Sequence, residues 1–371
     1  MCGFAFFMIR KEAKMNALSV MKQDSRSGAI SVGVVLSLLL VLPDLALPPA
    51  CAQAIRPQTL QLAPGWNAVH LEVDPLVSNP AELFASQPID IVAAYDPPLS
   101  GAQFVSNPEA NMLGVFGWGV WYSPRRPDAF LSRLYRLKGA SAYLFHATTN
   151  ATVEILGRLP PRRPQWLPDA YNLVGFSVQA PGGPTFKQFF EASPAHNHNK
   201  IYRLTNGTWR QVTDPAAAVM RSGEAFWIYC DGHSDYSGPL QVEAPSFFGV
   251  MLTSQSGGEL VFRNRTSHPV AFTVEHIVAH NNPIPLSVAV RTVDEAAGGF
   301  RTVTVPFAAG PWEQPFPPLE AGAGLRLPLE LRLSDAQAGV CHSIFKIKSD
   351  MGTCDYIGVT ATRDDLTASR D

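Results

Sequence analysis

Gly65-Trp66-Asn67-Ala68-Val69-His70-Leu71-Glu72-Val73 reads GWNAVHLEV, and Ala170-Tyr171-Asn172-Leu173-Val174-Gly175-Phe176-Ser177-Val178 reads AYNLVGFSV. Each phrase sets an aromatic residue before an asparagine and runs on to a valine. Side chains alternate across a strand, so Val69, Leu71 and Val73 share one face. The asparagine amide can tie itself to a neighbouring turn. Each phrase therefore predicts the first core strand of a small β unit. Its repetition predicts two such units in tandem.

The landmarks that follow recur in the same order. A proline opens a short helical patch in Pro80-Ala81-Glu82-Leu83-Phe84 and in Pro184-Thr185-Phe186-Lys187-Gln188-Phe189-Phe190. Proline suits that place because the first helical N–H has no intrahelical partner. Then come tyrosine strands, residues 91–95 against 200–204, and tryptophan strands that set Trp121 against Trp209. Residues 139–145, with Tyr143-Leu144, align with 222–228, which carry Phe226-Trp227; closing strands follow at 152–157 and 239–242. These runs are short, β-branched or aromatic, and bounded by Gly, Pro, Asn or Asp. The units expected are residues 58–158 and 165–244, joined by the stiff Pro160-Pro161-Arg162-Arg163-Pro164.

This order of landmarks resembles a module of secreted and surface-attached bacterial proteins. That module opens with a phrase like PGWNLVSLPV and carries a helix ending in phenylalanine, a tryptophan strand and a GxGYW or GEAFW strand. The second copy keeps the aromatic pair as Phe226-Trp227, whereas the first departs from it at Tyr143-Leu144. The resemblance implies a structural or adhesive part of an exported protein, and it brings no common active site.

From Phe247 onward, alternating segments such as Glu259–Asn264 and Val270–Ile277 recur at short spacing. They predict an immunoglobulin-like β-sandwich over residues 247–371, with a final hairpin turning at Asp350-Met351-Gly352. The fold class expected is mainly β: two duplicated small β-rich modules plus this sandwich. Cys341 and Cys354 are the candidate disulfide pair, although such a hairpin would not set them opposite one another.

Residues 29–42 form an apolar run of 14, shorter than the about 20 residues of a membrane span. Lys22 and Arg26 precede it and Ala50-Cys51-Ala52-Gln53-Ala54 follows, which is the pattern of a secretory signal peptide. Cleavage is expected after Ala54, with a cut after Ala52 as the alternative, and Met15 or Met21 as the natural start. The mature chain, with no transmembrane span, is expected to be secreted or held at the cell envelope. It keeps 24 of 29 basic and 28 of 31 acidic residues, a net charge near −4 that argues against a nucleic-acid partner.

No nucleophile elbow, phosphate loop, dinucleotide fingerprint or calcium loop is present. The spacing Glu275-His276-Ile277-Val278-Ala279-His280 is not the H-E-x-x-H of a zinc protease, because the glutamate precedes the first histidine. His196-Asn197-His198-Asn199 and Cys230–Gly238 read as polar loops, and Asn150, Asn206 and Asn264 head N-x-T sequons expected on exposed turns. No catalytic residue, metal or cofactor is expected. From Asn67 to Tyr143 is 76 residues against 54 from Asn172 to Phe226, and most of the extra 22 lie in residues 96–119. The candidate ligand-binding residues are Trp118, Tyr122, Arg125 and Arg126, at the end of that insertion, because aromatics beside arginines suit sugar rings or a protein partner. The reading is a non-enzymatic exported protein with a structural or adhesive role, its partner an envelope protein. The alternative is a carbohydrate-binding accessory protein acting on a glycan through those aromatics, with an exported hydrolase third.

Overall fold

A computed structural model describes residues 54–96, 107–109, 117–160, 165–196, 200–278, 283–294, 299–308, 310–336 and 338–363. Residues 1–53, which hold the expected leader, residues 161–164 of the linker and most of the 96–119 insertion lie outside the described residues. The protein is mainly β.

The first unit comprises β1 (Ile55–Leu62), β2 (Gly65–Leu71), β3 (Asp74–Pro75), α1 (Pro80–Leu83), β4 (Ile89–Tyr95), β5 (Trp118–Tyr122), β6 (Ser141–Ala147) and β7 (Ala151–Arg158). Strands β2-β6-β4-β5 form one antiparallel sheet, and β1-β7-β3 a second. The N-cap Asn79 side chain accepts from Ala81 N–H, and Pro80 stands at the first helical position. Phe84, one residue past α1, packs edge-on to Phe145 at 5.2 Å and closes the core with Val69, Leu71, Val92 and Trp121.

The second unit has β8 (Ala170–Gly175), α2 (Phe186–Phe190), β9 (Ile201–Thr205), β10 (Thr208–Gln211) and β11 (Ala225–Cys230). Its sheet runs β8-β11-β9-β10. Numbered in chain order within each sheet, both run first, fourth, second, third. Thr185 caps α2 in a reciprocal pair with Gln188, which closes two free helix-end N–H groups at once. Phe186, Phe189 and Phe190 then enter a core with Trp166, Phe176, Phe226 and Tyr236.

The asparagines of the two phrases do the same work. Asn67 Oδ1 accepts from Ala63 N–H at 3.0 Å, while its Nδ2 donates to Ala63 O at 2.8 Å and Gly65 O at 2.9 Å. Asn172 Oδ1 accepts from Leu167 N–H at 2.8 Å, and its Nδ2 donates to Leu167 O at 3.1 Å and Ala170 O at 3.0 Å. Each amide satisfies the backbone of the turn that feeds the first strand.

The C-terminal sandwich stacks β12 (Leu240–Glu243), β14 (Gly258–Asn264), β19 (Gly324–Leu331), β16 (Leu286–Asp294) and β17 (Gly299–Pro306), in spatial order β12-β14-β19-β16-β17. The facing sheet is β13 (Val250–Thr253), β21 (Cys354–Arg363), β20 (Gly339–Ser349), β15 (Val270–Val278) and β18 (Trp312–Leu319). Phe262, Phe272, Phe345 and Leu329 lie in the core between them. Two expectations need correction here. Residues 239–242, read as the last strand of the second unit, pair instead with β14 of the sandwich, so that unit stops short of 244. In the first unit β7 pairs with β1 and β3, and among the described residues the second unit has no counterpart of β1. The second correction is β18, with its three prolines, which the alternation rule missed. It survives as a strand because it sits at the sheet edge and pairs only with β15.

The units join through both apolar and polar contacts. Outer sheet faces of the first two meet in a layer of Ala68, Ala93, Leu144, Tyr171, Trp209 and Trp227. Buried Glu72 holds Arg56 at 2.8 Å and accepts from Ser222 Oγ at 2.9 Å, and Arg56 lies 3.8 Å over the ring of Tyr356 in the sandwich. Gln179 Nε2 donates to Ser349 O at 2.6 Å while Gln179 N–H reaches Gly352 O at 2.9 Å, tying the second unit to the β20–β21 turn.

Candidate functional site

Strand β5 positions the sequence-predicted residues, and its register decides what each can do. Tyr95 pairs with Trp118 and Val92 with Trp121, while Leu204 pairs with Trp209. Carried across both sheets from Asn67 opposite Phe145 and Asn172 opposite Ile228, this register matches Trp209 to Trp118. The pairing of Trp121 with Trp209 is therefore corrected by three residues. Trp121 faces its own core, 6.0 Å from Phe84, where the second unit has Val212.

Trp118 turns toward the second unit. Its ring stands 5.4 Å from Tyr95 and 6.4 Å from Trp227, edge-on to the latter, as Trp209 stands 6.2 Å from Trp227 on the other side. It is half-buried in the shared aromatic layer.

Arg126 is held between two carboxylates. Its Nη1 donates to Asp90 at 2.7 Å, and Nε and Nη2 donate to the two oxygens of Asp128 at 2.8 and 2.9 Å. The guanidinium lies 5.7 Å over Tyr122. Asp90 also meets His146 Nδ1 at 2.6 Å. Burial alone would push the Asp90 carboxyl up, but hydrogen bonds from His146 and Arg126, with their positive charges, hold it below the usual range. The cluster is a clamp closing the loop after β5, and Arg126 has its charge answered in place. Arg125 is exposed, with Nη2 donating to Gln87 O at 2.9 Å.

Beyond this clamp the chain makes a surface that sequence reasoning missed. Between β5 and β6, residues 123–140 form only one short 3-10 turn, Ala129–Leu131. Inward anchors fix the segment: Leu137 is fully buried, and Arg133 and Leu134 N–H both bond Val120 O. Phe130 is 83 % exposed, Leu131 53 % and Tyr135 72 %. Arg133, Arg136 and Lys138 are exposed beside them. The signal was legible as apolar residues crowded among cations between Pro127 and Gly139.

Other candidates resolve into architecture. His276 lies on β15, buried, its Nδ1 2.9 Å from Gly310 O, and desolvation lowers its pKa; His280 lies outside the described residues. His196 is buried against Trp166, and burial pushes its pKa down to about 4. The 230–238 loop borders an open cleft of about 580 Å³ with Ser193, Asp231, His233 and Asp235. Among the described residues no group of three His, Cys, Asp or Glu side chains could hold a metal ion. Asn264 corrects the sequon reading: it is 1 % exposed, and its Nδ2 donates to the carbonyls of His268, Leu319 and Glu320. Cys341 and Cys354 are free thiols, opposite Ala361 and Lys348 respectively.

No protein-family model matches the chain, and no curated protein matches it. Among solved structures it is similar to the Salmonella enterica SafA pilin in complex with its SafB chaperone, at 14% identity over 34% of this chain and 55% of that one, TM-score 0.21. It is also similar to the Enterococcus faecalis MSCRAMM ACE, which binds its ligands by the collagen Hug model, at 9% identity over 75% and 84% of the two chains, TM-score 0.20. A third is the CupB6 tip adhesin of Pseudomonas aeruginosa, at 11% identity over 85% and 93%, TM-score 0.18. Scores this low assign no function.

Proposed function

We propose that the protein is a non-enzymatic, exported structural or adhesive protein of the bacterial envelope, built from two copies of one β module and an immunoglobulin-like sandwich. The observation that carries this reading is the use to which the polar clusters are put. Asn67 and Asn172 close turns, Arg126 and Asp90 clamp a loop, and Glu72 with Gln179 locks three units together. A rigid body joined in this way transmits force and presents loops at fixed positions. Trp118, Tyr122, Arg125 and Arg126 then support the base of a contact surface, with Arg125 its exposed member. No helix among the described residues is long and apolar enough to cross a membrane.

The test is localisation with phenotype. Antibody labelling of intact cells should detect the chain, processed near Ile55, and deleting its gene should weaken attachment or envelope integrity. An intact leader on a cytoplasmic chain, or a hydrolytic activity of the purified protein, would sink the proposal.

A further inference from the structure

The segment from Phe130 to Lys138 is the place where the first unit departs most from what its own stability requires. A loop fixed at both ends normally turns its apolar side chains inward. Here Leu134 and Leu137 do so, while Phe130, Leu131 and Tyr135 stand in solvent at 83, 53 and 72 % exposure. The corresponding connection of the second unit, residues 212–224, carries three alanines, one exposed valine, Val219 at 42 %, and a single cation, Arg221. The module therefore closes its sheet without such a surface.

Three cations, Arg133, Arg136 and Lys138, lie within the same nine residues, and none makes an ion pair among the described residues. The nearest acid in sequence, Asp128, is taken by Arg126. The stretch is thus strongly positive on a chain whose expected mature form is net negative. Charge complementarity calls for an anionic partner.

The apolar half narrows the partner further. Sugars stack on aromatic faces, and a leucine offers them none. Adjacent exposed Phe and Leu on a 3-10 turn, followed within the same nine residues by an exposed tyrosine and three exposed cations, offer the chemistry that a lipid interface takes up: acyl chains, then the ester region, then phosphates. We propose that residues 130–138 dock this protein on an anionic lipid surface, Phe130 and Leu131 entering the acyl boundary while Arg133, Arg136 and Lys138 meet lipid phosphates. The clamp of Arg126 on Asp90 and Asp128 holds the tip in place beforehand, so little ordering is needed on binding. This docking goes beyond the structural role proposed above and stands or falls independently of it.

The experiment is co-sedimentation of the purified protein with vesicles of phosphatidylcholine mixed with phosphatidylglycerol, against vesicles of phosphatidylcholine alone. Binding should require the anionic lipid and weaken as salt rises, because surface attraction is screened. The double variant Phe130→Ser, Leu131→Ser should reduce binding at least tenfold with an unchanged melting temperature, and Arg133→Glu with Arg136→Glu should abolish it. Phe130→Trp supplies a second readout: its fluorescence should be quenched by brominated acyl chains in anionic vesicles. No binding to anionic vesicles overturns the proposal. So does binding that dextran sulfate removes completely while Phe130→Ser, Leu131→Ser leaves it intact, since that outcome describes a site for a polyanionic glycan.

Discussion

The first and second units share a sheet order and an asparagine that closes the entry turn, yet they complete their cores differently. The first covers its sheet with β1 and β7, whose alternation places Leu60, Leu62, Val153 and Ile155 inward. The second uses rings instead, with Phe176 4.5 Å from Phe189 and Trp166 4.1 Å from His196. A sheet of this kind fixes one face through its own covering and leaves the other to be matched. Here the other faces match each other. One small module can thus be stabilised by strands or by aromatics, provided its remaining face finds a partner.

The largest test of that shared layer is Trp227→Ala. Trp227 is 2 % exposed and touches Tyr95, Trp118 and Trp209 from both units. Loss of a buried tryptophan costs about 3–5 kcal/mol, and urea unfolding should show that loss with the single transition splitting in two. A loss below about 1 kcal/mol would mean that something other than this layer couples the units. Next come the two counterparts. Trp209→Ala should cost about 3 kcal/mol and half-buried Trp118→Ala about 2 kcal/mol, by the same scale. If Trp118→Ala leaves the melt unchanged, the register argument for its structural role fails.

Smaller effects follow for the asparagines. Asn172 is buried and Asn67 less so; removing hydrogen bonds that leave backbone groups unpaired costs about 1–3 kcal/mol. Asn172→Ala should fall at the upper end and Asn67→Ala at the lower, in the same denaturation assay. The smallest effects depend on pH. The folded His196 pKa, about 4, lies below the unfolded 6.5, so its contribution is present above 6.5 and is lost as pH falls towards 4. Asp90 is also depressed, below 3.8, so its contribution is present above 3.8 and is lost only in more acid solution. His196→Phe should flatten part of the first acid limb, which buried His70 and His276 share, and Asp90→Asn the second. Equal effects of both variants in the upper window would contradict the assignment.

Much of this architecture was legible in the sequence because period-two patterning and turn residues are local signals. The two aromatic-asparagine phrases, the Pro80-led helix and the β20–β21 hairpin all follow from neighbours in the chain, whereas Pro184 stands outside α2, before its Thr185 cap. What escaped depends on partners distant in sequence. Trp118 and Trp121 are three residues apart and equally plausible as the match for Trp209, and only pairing across β4 separates them. Residues 240–243 read as a strand but carry no mark of which sheet they join. Phe130, Leu131 and Tyr135 look like core residues until the fold leaves them outside.

Gly175 has a consequence for anyone cutting this protein apart. A Cβ placed there would collide with the His70 side chain and the Glu224 carbonyl, so a side chain of the first unit and backbone of its own unit already fill the space. The seam is set at the scale of a single methyl group, and it is lined on both sides by indoles and phenols. A fragment ending at residue 160 would carry half of that seam into water as a contiguous sticky face. The tandem pair, and not the single module, is therefore the smallest part of the N-terminal half that keeps this seam covered.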